Sequence, residues 1–95
     1  MYGVLKTTRF EKSFLKLLRS GTFKSPAQES FEEAVIFLMK GDTLPASYVD
    51  HRLSGDFAQY RECHIKGDVL LLYEKRDDIM KIILVDIGSH SYLFG

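Results

Sequence analysis

Two stretches in the first half of the chain carry apolar residues at helical spacing. The first helix is predicted to begin at a capping box, residues 8–11, and to end before Gly21. The second is predicted to begin at a Ser-Pro cap, residues 25–28, and to end before Gly41. We expect the pair to be antiparallel because the connection is short. The apolar stripes expected to face the core are Phe10, Phe14, Leu17 and Leu18, then Phe31, Ala34, Val35 and Leu38.

The second half of the chain has the pattern of β-strands separated by tight turns. With the N-terminal run included, four strands are predicted, at residues 2–6, 60–65, 69–73 and 79–87. The last two contain continuously apolar segments, which are typical of strands buried on both faces. We therefore expect an α+β fold in a single domain spanning residues 1–95. In it, an antiparallel helical pair packs on a small, mostly antiparallel, twisted sheet.

Composition excludes several classes of protein. No apolar run is long enough for a membrane span and no signal peptide is evident, so we expect a cytoplasmic protein without a membrane partner. The single cysteine, Cys63, excludes an internal disulfide and a multi-cysteine zinc site. The net charge is zero, and only residues 1–24 are basic, with six Lys or Arg against one Glu. That excess is explained equally by a binding surface and by a solvated helix face.

The residues capable of acid–base chemistry lie in the second half of the chain. All three histidines, His51, His64 and His90, are there. No two of them have the i, i+4 spacing of a helical metal site, so the sequence favours no metal. Cys63 and His64 are adjacent and point to opposite faces of a strand, which disfavours a nucleophilic Cys-His pair. Taken singly, each histidine is equally compatible with a structural role.

Four blocks of sequence occur in a fixed order in this half: DHRLSG at 50–55, YRECHI at 60–65, DVLLLY at 68–73 and GSHSYLF at 88–94. In these blocks and their order, the chain resembles the YafQ branch of the RelE/ParE toxin superfamily. The order of predicted elements also agrees with a RelE-like fold.

This resemblance implies the toxin of a bacterial type II toxin-antitoxin system. It implies a ribosome-dependent, metal-independent mRNA endoribonuclease (an mRNA interferase) that inhibits translation and uses no cofactor. The implied partners are the ribosome, translated mRNA and a cognate antitoxin, which forms a hetero-oligomer with the toxin. Carried over by position, the catalytic residues are His51, His64, Asp68 and His90, and Phe94 is an aromatic residue near the substrate.

The source of a phosphate-binding cation differs from the family pattern. The family usually has an arginine where this chain has Asp86, so we expect cleavage to be weakened. Arg61 and Lys66 are the candidate substrate-binding cations that could replace it, although Arg61 is equally compatible with a structural ion pair.

Two other functions remain open within the same superfamily. One is a ParE-like protein that inhibits DNA gyrase and needs no catalytic histidines. The other is a non-catalytic member that binds an antitoxin. The three histidines at family positions disfavour the gyrase inhibitor, whereas Asp86 mildly favours it. In the non-catalytic member, the histidines would be relics or packing residues.

Overall fold

Three α-helices lie against a five-stranded sheet in the computed structural model, which describes residues 1–95. The elements are β1 (Gly3–Lys6), α1 (Thr8–Arg19), α2 (Ser25–Lys40), β2 (His51–Arg52), β3 (Arg61–Lys66), β4 (Val69–Arg76), β5 (Lys81–Gly88) and α3 (His90–Phe94). Short 3-10 turns occupy Ala46–Tyr48 and Gly55–Phe57. The predicted α+β fold class is confirmed. The two-residue strand β2 was not predicted, because it is too short to carry an apolar pattern.

The sheet has the strand order β1-β5-β4-β3-β2. All neighbours pair antiparallel except β1, which pairs parallel to β5. The N-terminal strand joins the sheet, as expected, and lies beside the last strand. The register shifts by one residue where Tyr73 pairs with Leu84 and Leu72 pairs with Asp86, so β5 carries an extra residue at Val85. The hydroxyl of Thr7 donates a hydrogen bond to the carbonyl of Val85, 2.7 Å away.

The helix starts differ in detail from the sequence prediction. Thr7, rather than Thr8, caps α1, because its side chain accepts a hydrogen bond from the amide of Phe10. Helix α2 follows Lys24 and has no side-chain cap; Gln28 donates to the carbonyl of Phe23 instead. The predicted stop at Gly41 is confirmed, with a left-handed φ of 75°. None of the helices is both long enough and apolar enough to cross a membrane.

The core lies between the helices and one face of the sheet. Strand β4 is central and buries four successive residues, 70–73, so the prediction of a strand covered on both faces is confirmed. The two long helices meet through the ring of Phe31, whose centroid lies 6.0 Å from that of Phe10 and 5.2 Å from that of Phe14. Leu18 was expected in the core but is 40% exposed, because it lies at the edge of the α1 stripe.

Leu71, fully buried at the centre of β4, is the most direct test of this core. We expect Leu71→Ala to lower the free energy of unfolding by about 2–5 kcal/mol, because the cavity left in a packed core is only partly filled by relaxation. Urea denaturation measures the change. Leu15→Ala, at a half-exposed position on α1, is the matched control and should cost less than about 1 kcal/mol. Equal losses in both variants would contradict this packing.

Candidate active site

Strand β3 sends alternate side chains to opposite faces of the sheet. Cys63 and Ile65 point into the core beneath the helices, where both are buried. Glu62 and His64 point to the other face, which no long helix covers. Directly paired residues share a face, so Leu72 and Leu70 of β4 accompany them. The prediction that Cys63 and His64 face opposite ways is confirmed.

A single carboxylate lies between two histidines on this face. The Oε1 atom of Glu62 is 3.5 Å from Nε2 of His51 and 3.9 Å from Nε2 of His64. Glu62 is 5% exposed, whereas the two imidazole side chains are 44% and 43% exposed. The pairing of β2 with β3 produces this arrangement, because His51 lies directly opposite Glu62.

The backbone fixes the tautomer of His51. Its Nδ1 lies 2.7 Å from the carbonyl oxygen of Val49. A carbonyl only accepts hydrogen bonds, so Nδ1 carries the proton and Nε2 is the basic nitrogen. Val49 has a left-handed φ of 48°, and this turn brings its carbonyl back towards the ring. His51 is thus arranged to take up a proton on the nitrogen that faces Glu62.

The remaining predicted catalytic residues border the same site. An open groove of about 300 Å³ is lined by Glu62, His64, Gly67, Asp68, Leu70 and His90. The structure therefore brings His64, Asp68 and His90 together, although they come from a strand, a turn and a helix. His51 lies at the far side of Glu62, with its ring centroid 6.5 Å from that of His64.

Helix α3 places His90 beside an aromatic pair. His90 and Phe94 are four residues apart on the helix and share one face, with their ring centroids 5.2 Å apart. Phe94 in turn lies 5.8 Å from the ring of Phe57, edge to face. Gly88 permits α3 to fold back onto β5, because a Cβ there would lie 2.5 Å from the ring of Tyr92. The hydroxyls of Tyr92 and Ser13 are 2.9 Å apart and attach α3 to α1.

Neither of the two predicted substrate-binding cations is held beside the histidines. Arg61 alternates with Glu62 and faces the helices, where its Nη2 lies 3.1 Å from Asp50 Oδ2. Asp50 also accepts a hydrogen bond of 2.5 Å from Tyr73, and the hydrogen bonds from Arg61 to Asp50 raise the pKa of the guanidinium. Arg61 is thus a structural ion-pair partner in this geometry. Lys66 is exposed at the end of β3, next in sequence to Gly67 and Asp68, which line the groove.

Asp86 is on the same face as the histidines and is ion-paired. It is opposite Leu72, which is opposite Glu62, so the three side chains form one row across the sheet. Its Oδ2 lies 2.9 Å from Nε of Arg9, in the first turn of α1, and its Oδ1 accepts from the amide of Ile87. The carboxylate is 1% exposed, whereas the Arg9 side chain is 72% exposed.

Sequence reasoning did not single out Glu62 or Arg9. A signal existed for Glu62, since it stands two residues before His64 in a predicted strand and must share its face. No sequence signal links Arg9 to Asp86, which are far apart in the chain and meet only because α1 runs beside β5.

Comparison with known proteins decides the family. A profile described as the bacterial toxin of a type II toxin-antitoxin system, YafQ, matches residues 2–95. The chain belongs to the YafQ toxin family. It is 34% identical over 87 residues to a putative toxin YafQ of Haemophilus influenzae, a match covering 86% of this chain and 85% of that protein. It is 38% identical over 52 residues to the mRNA interferase toxin YafQ of Escherichia coli K12, covering 55% and 54%.

Solved structures of related toxins share the fold of this YafQ-family toxin. A copper-bound mutant toxin from Helicobacter pylori superimposes with a TM-score of 0.87 at 38% identity, covering 99% of this chain and 100% of that one. The YafQ chain of the E. coli DinJ-YafQ complex superimposes with a TM-score of 0.82 at 26% identity, covering both chains fully. In the present chain, no group of three or more His, Cys, Asp or Glu side chains is arranged to hold a metal ion.

The reactivity of Cys63 tests whether β3 directs this side chain into the core. Burial raises the pKa of its thiol to about 12, so almost no thiolate exists at neutral pH. We expect the folded protein to resist a thiol reagent such as Ellman's reagent at mildly alkaline pH. The same protein in concentrated guanidinium chloride should react at once, and the absorbance of the released thiolate measures both rates. Rapid labelling of the folded protein would place Cys63 on the open face.

Proposed function

We propose that this YafQ-family toxin is an endoribonuclease that cleaves mRNA bound to the ribosome, without a metal, by histidine acid–base chemistry. The observation that carries the proposal is the groove in which His64, Asp68 and His90 meet, with Glu62 and His51 beside it. The name of the E. coli relative, an mRNA interferase, supports the choice of substrate.

The cleavage step needs no reagent besides the RNA. A ribose 2′-oxygen attacks the adjacent phosphorus, and its proton passes to a histidine base. A P–O2′ bond forms while the P–O5′ bond breaks, and a histidine acid protonates the departing 5′-oxygen. The products are a 2′,3′-cyclic phosphate and a 5′-hydroxyl. Histidine suits both proton transfers because its ordinary pKa is near neutrality.

The geometry suggests a division of roles. Nε2 of His51 and Nε2 of His64 face one carboxylate, so Glu62 stabilises whichever imidazolium forms when the 2′-hydroxyl loses its proton. His90 lies on another border of the groove and is exposed, which suits the acid that meets the 5′-oxygen. Asp68 orients the substrate by accepting hydrogen bonds.

Aromatic residues beside His90 suit the recognition of an unpaired base. Phe94 and Phe57 lie edge to face, and a nucleobase can stack on such a surface. Exposed Lys66, next in sequence to the groove residues Gly67 and Asp68, supplies a charge for the RNA backbone. Together these residues would hold one nucleotide against His90.

The second partner we propose is an antitoxin that silences the toxin by binding it. This partner is supported by the E. coli relative, whose structure was solved in a DinJ-YafQ complex. Helix α1 presents exposed basic residues, including Lys12 and Lys16, to which an acidic or amphipathic segment would be complementary.

Replacement of His90 separates chemistry from folding. His90→Ala should leave the free energy of unfolding within about 0.5 kcal/mol of the parent, because the side chain is exposed. Cleavage should fall by a factor on the order of 100 or more if His90 is the general acid. Single-turnover cleavage on programmed ribosomes and thermal melting measure the two quantities.

Ser91→Ala, the next exposed position on α3, is the matched control and should cleave like the parent. Full cleavage by His90→Ala would refute the role of His90. Growth arrest with intact transcripts after induced expression would refute the nuclease and favour a gyrase-directed toxin.

Charge reversal on α1 tests the antitoxin surface. Lys12→Glu should slow association with the antitoxin by about 10-fold, because basic residues steer an acidic partner, and should leave cleavage by the free toxin unchanged. Stopped-flow or surface-based kinetics measure the rate. Lys40→Glu, at the end of α2, is the control with the same charge change. Unchanged association in Lys12→Glu would place the partner on another surface.

A further inference from the structure

The chemistry proposed above needs a fixed cation beside the phosphate, and the two cations suggested by the sequence do not supply one. Arg61 is held by Asp50 on the opposite face. Lys66 is exposed and forms no ion pair that would fix its position. Negative charge that grows on the phosphoryl oxygens in the transition state is best stabilised by a cation already held in place.

Most other arginines are also excluded by their positions. Arg76 pairs with Asp78 and Glu74 at the β4–β5 turn, beyond the part of β4 that lies opposite the histidines. Arg52 lies opposite Arg61 and so shares its face. Arg19 is in the last turn of α1, far from the first turn that meets Asp86. Only Arg9 is brought to the row that contains Glu62.

We propose that Arg9 is the substrate-binding cation of this toxin and that Asp86 is the positioning residue that holds it over the site. This inference rests on the nuclease function proposed above. In this arrangement, the guanidinium of Arg9 reaches the site from α1. The carboxylate of Asp86 stands on β5 at the position where the family usually carries an arginine.

The geometry of the pair favours this role over a purely structural one. Asp86 and Glu62 are two strands apart in one row, about 10 Å at the usual strand spacing, which a phosphodiester and its ribose can span. Asp86 is buried and uses one oxygen for the amide of Ile87, so it is fixed. Arg9 uses Nε for Asp86 and forms no other ion pair, while 72% of its side chain is exposed. Its remaining N–H donors are available to a phosphate oxygen.

The competing explanation is that Arg9 only neutralises a buried carboxylate. Removing Arg9 alone would then destabilise the fold by leaving Asp86 unpaired, and activity would fall for that reason. The double variant Arg9→Gln/Asp86→Asn removes both charges together and distinguishes the two explanations. Since no unpaired charge remains, its melting temperature should stay close to that of the parent.

The experiment is single-turnover cleavage of mRNA on programmed ribosomes, with melting temperatures alongside. We expect Arg9→Gln/Asp86→Asn to cleave about 100-fold more slowly than the parent, as when one transition-state donor is lost. Arg9→Lys keeps the charge but lacks the planar guanidinium group, and its cleavage rate should fall by about 10-fold. Arg9→Gln/Asp86→Arg moves the guanidinium onto β5 and should restore cleavage to within about 10-fold of the parent. Arg19→Gln, the matched charge removal on α1, should cleave like the parent.

Three results would overturn the inference in distinguishable ways. If the parent cleaves, His64→Ala does not, and Arg9→Gln/Asp86→Asn cleaves like the parent, the pair is structural and the nuclease function stands. If Asp86→Arg alone cleaves faster while Arg9→Gln has no effect, Asp86 weakens cleavage as expected from the sequence, and Arg9 does not bind the substrate. If the parent does not cleave, or His64→Ala cleaves equally fast, the nuclease function itself fails and the role of Arg9 fails with it.

Discussion

The pairing register of β3 with β4 is the constraint on which both the core and the site depend. Because side chains alternate along a strand, this register sends Cys63 and Ile65 under the two long helices and puts Glu62 and His64 on the opposite face. A slip by one residue would bury the histidine and expose the cysteine. The buried residues of β4 therefore specify the position of the acid–base groups as well as the stability of the sheet.

The same register extends across β5 and explains why one face can hold groups from distant parts of the chain. One row contains Glu62, Leu72 and Asp86, and the next contains His64, Leu70 and Gly88. The buried leucines at the middle of both rows form an apolar floor between Glu62 and His64 on one side and Asp86 on the other. In the nuclease function proposed above, such a floor would exclude water from beneath a bound phosphate and strengthen the electrostatic interactions at its borders.

Local sequence patterns predicted much of the fold but less of the candidate site. The helical spacing of apolar residues and the glycine after Lys40 predicted the bounds of α2, although the predicted side-chain cap is absent. The apolar run at residues 69–73 predicted a buried strand. Spacing alone did not predict β2, since two residues carry no period, nor the Arg9–Asp86 pair, which depends on the position of a helix beside a strand. For Arg61 the sequence left a substrate-binding role and a structural ion pair open, and the structure shows the ion pair, with Asp50.

The parallel pairing of β1 with β5 has a consequence for the order of folding. Gly3 is opposite Lys81, and the partners of β1 are therefore synthesised only after all other strands. Contacts between such distant segments are slow to form, because a long loop must close first. A nascent or truncated chain that stops before Lys81 has no strand to pair with β1, and His90 has not yet been added. The groove that carries the histidines is therefore assembled late in synthesis, and partial translation products lack it.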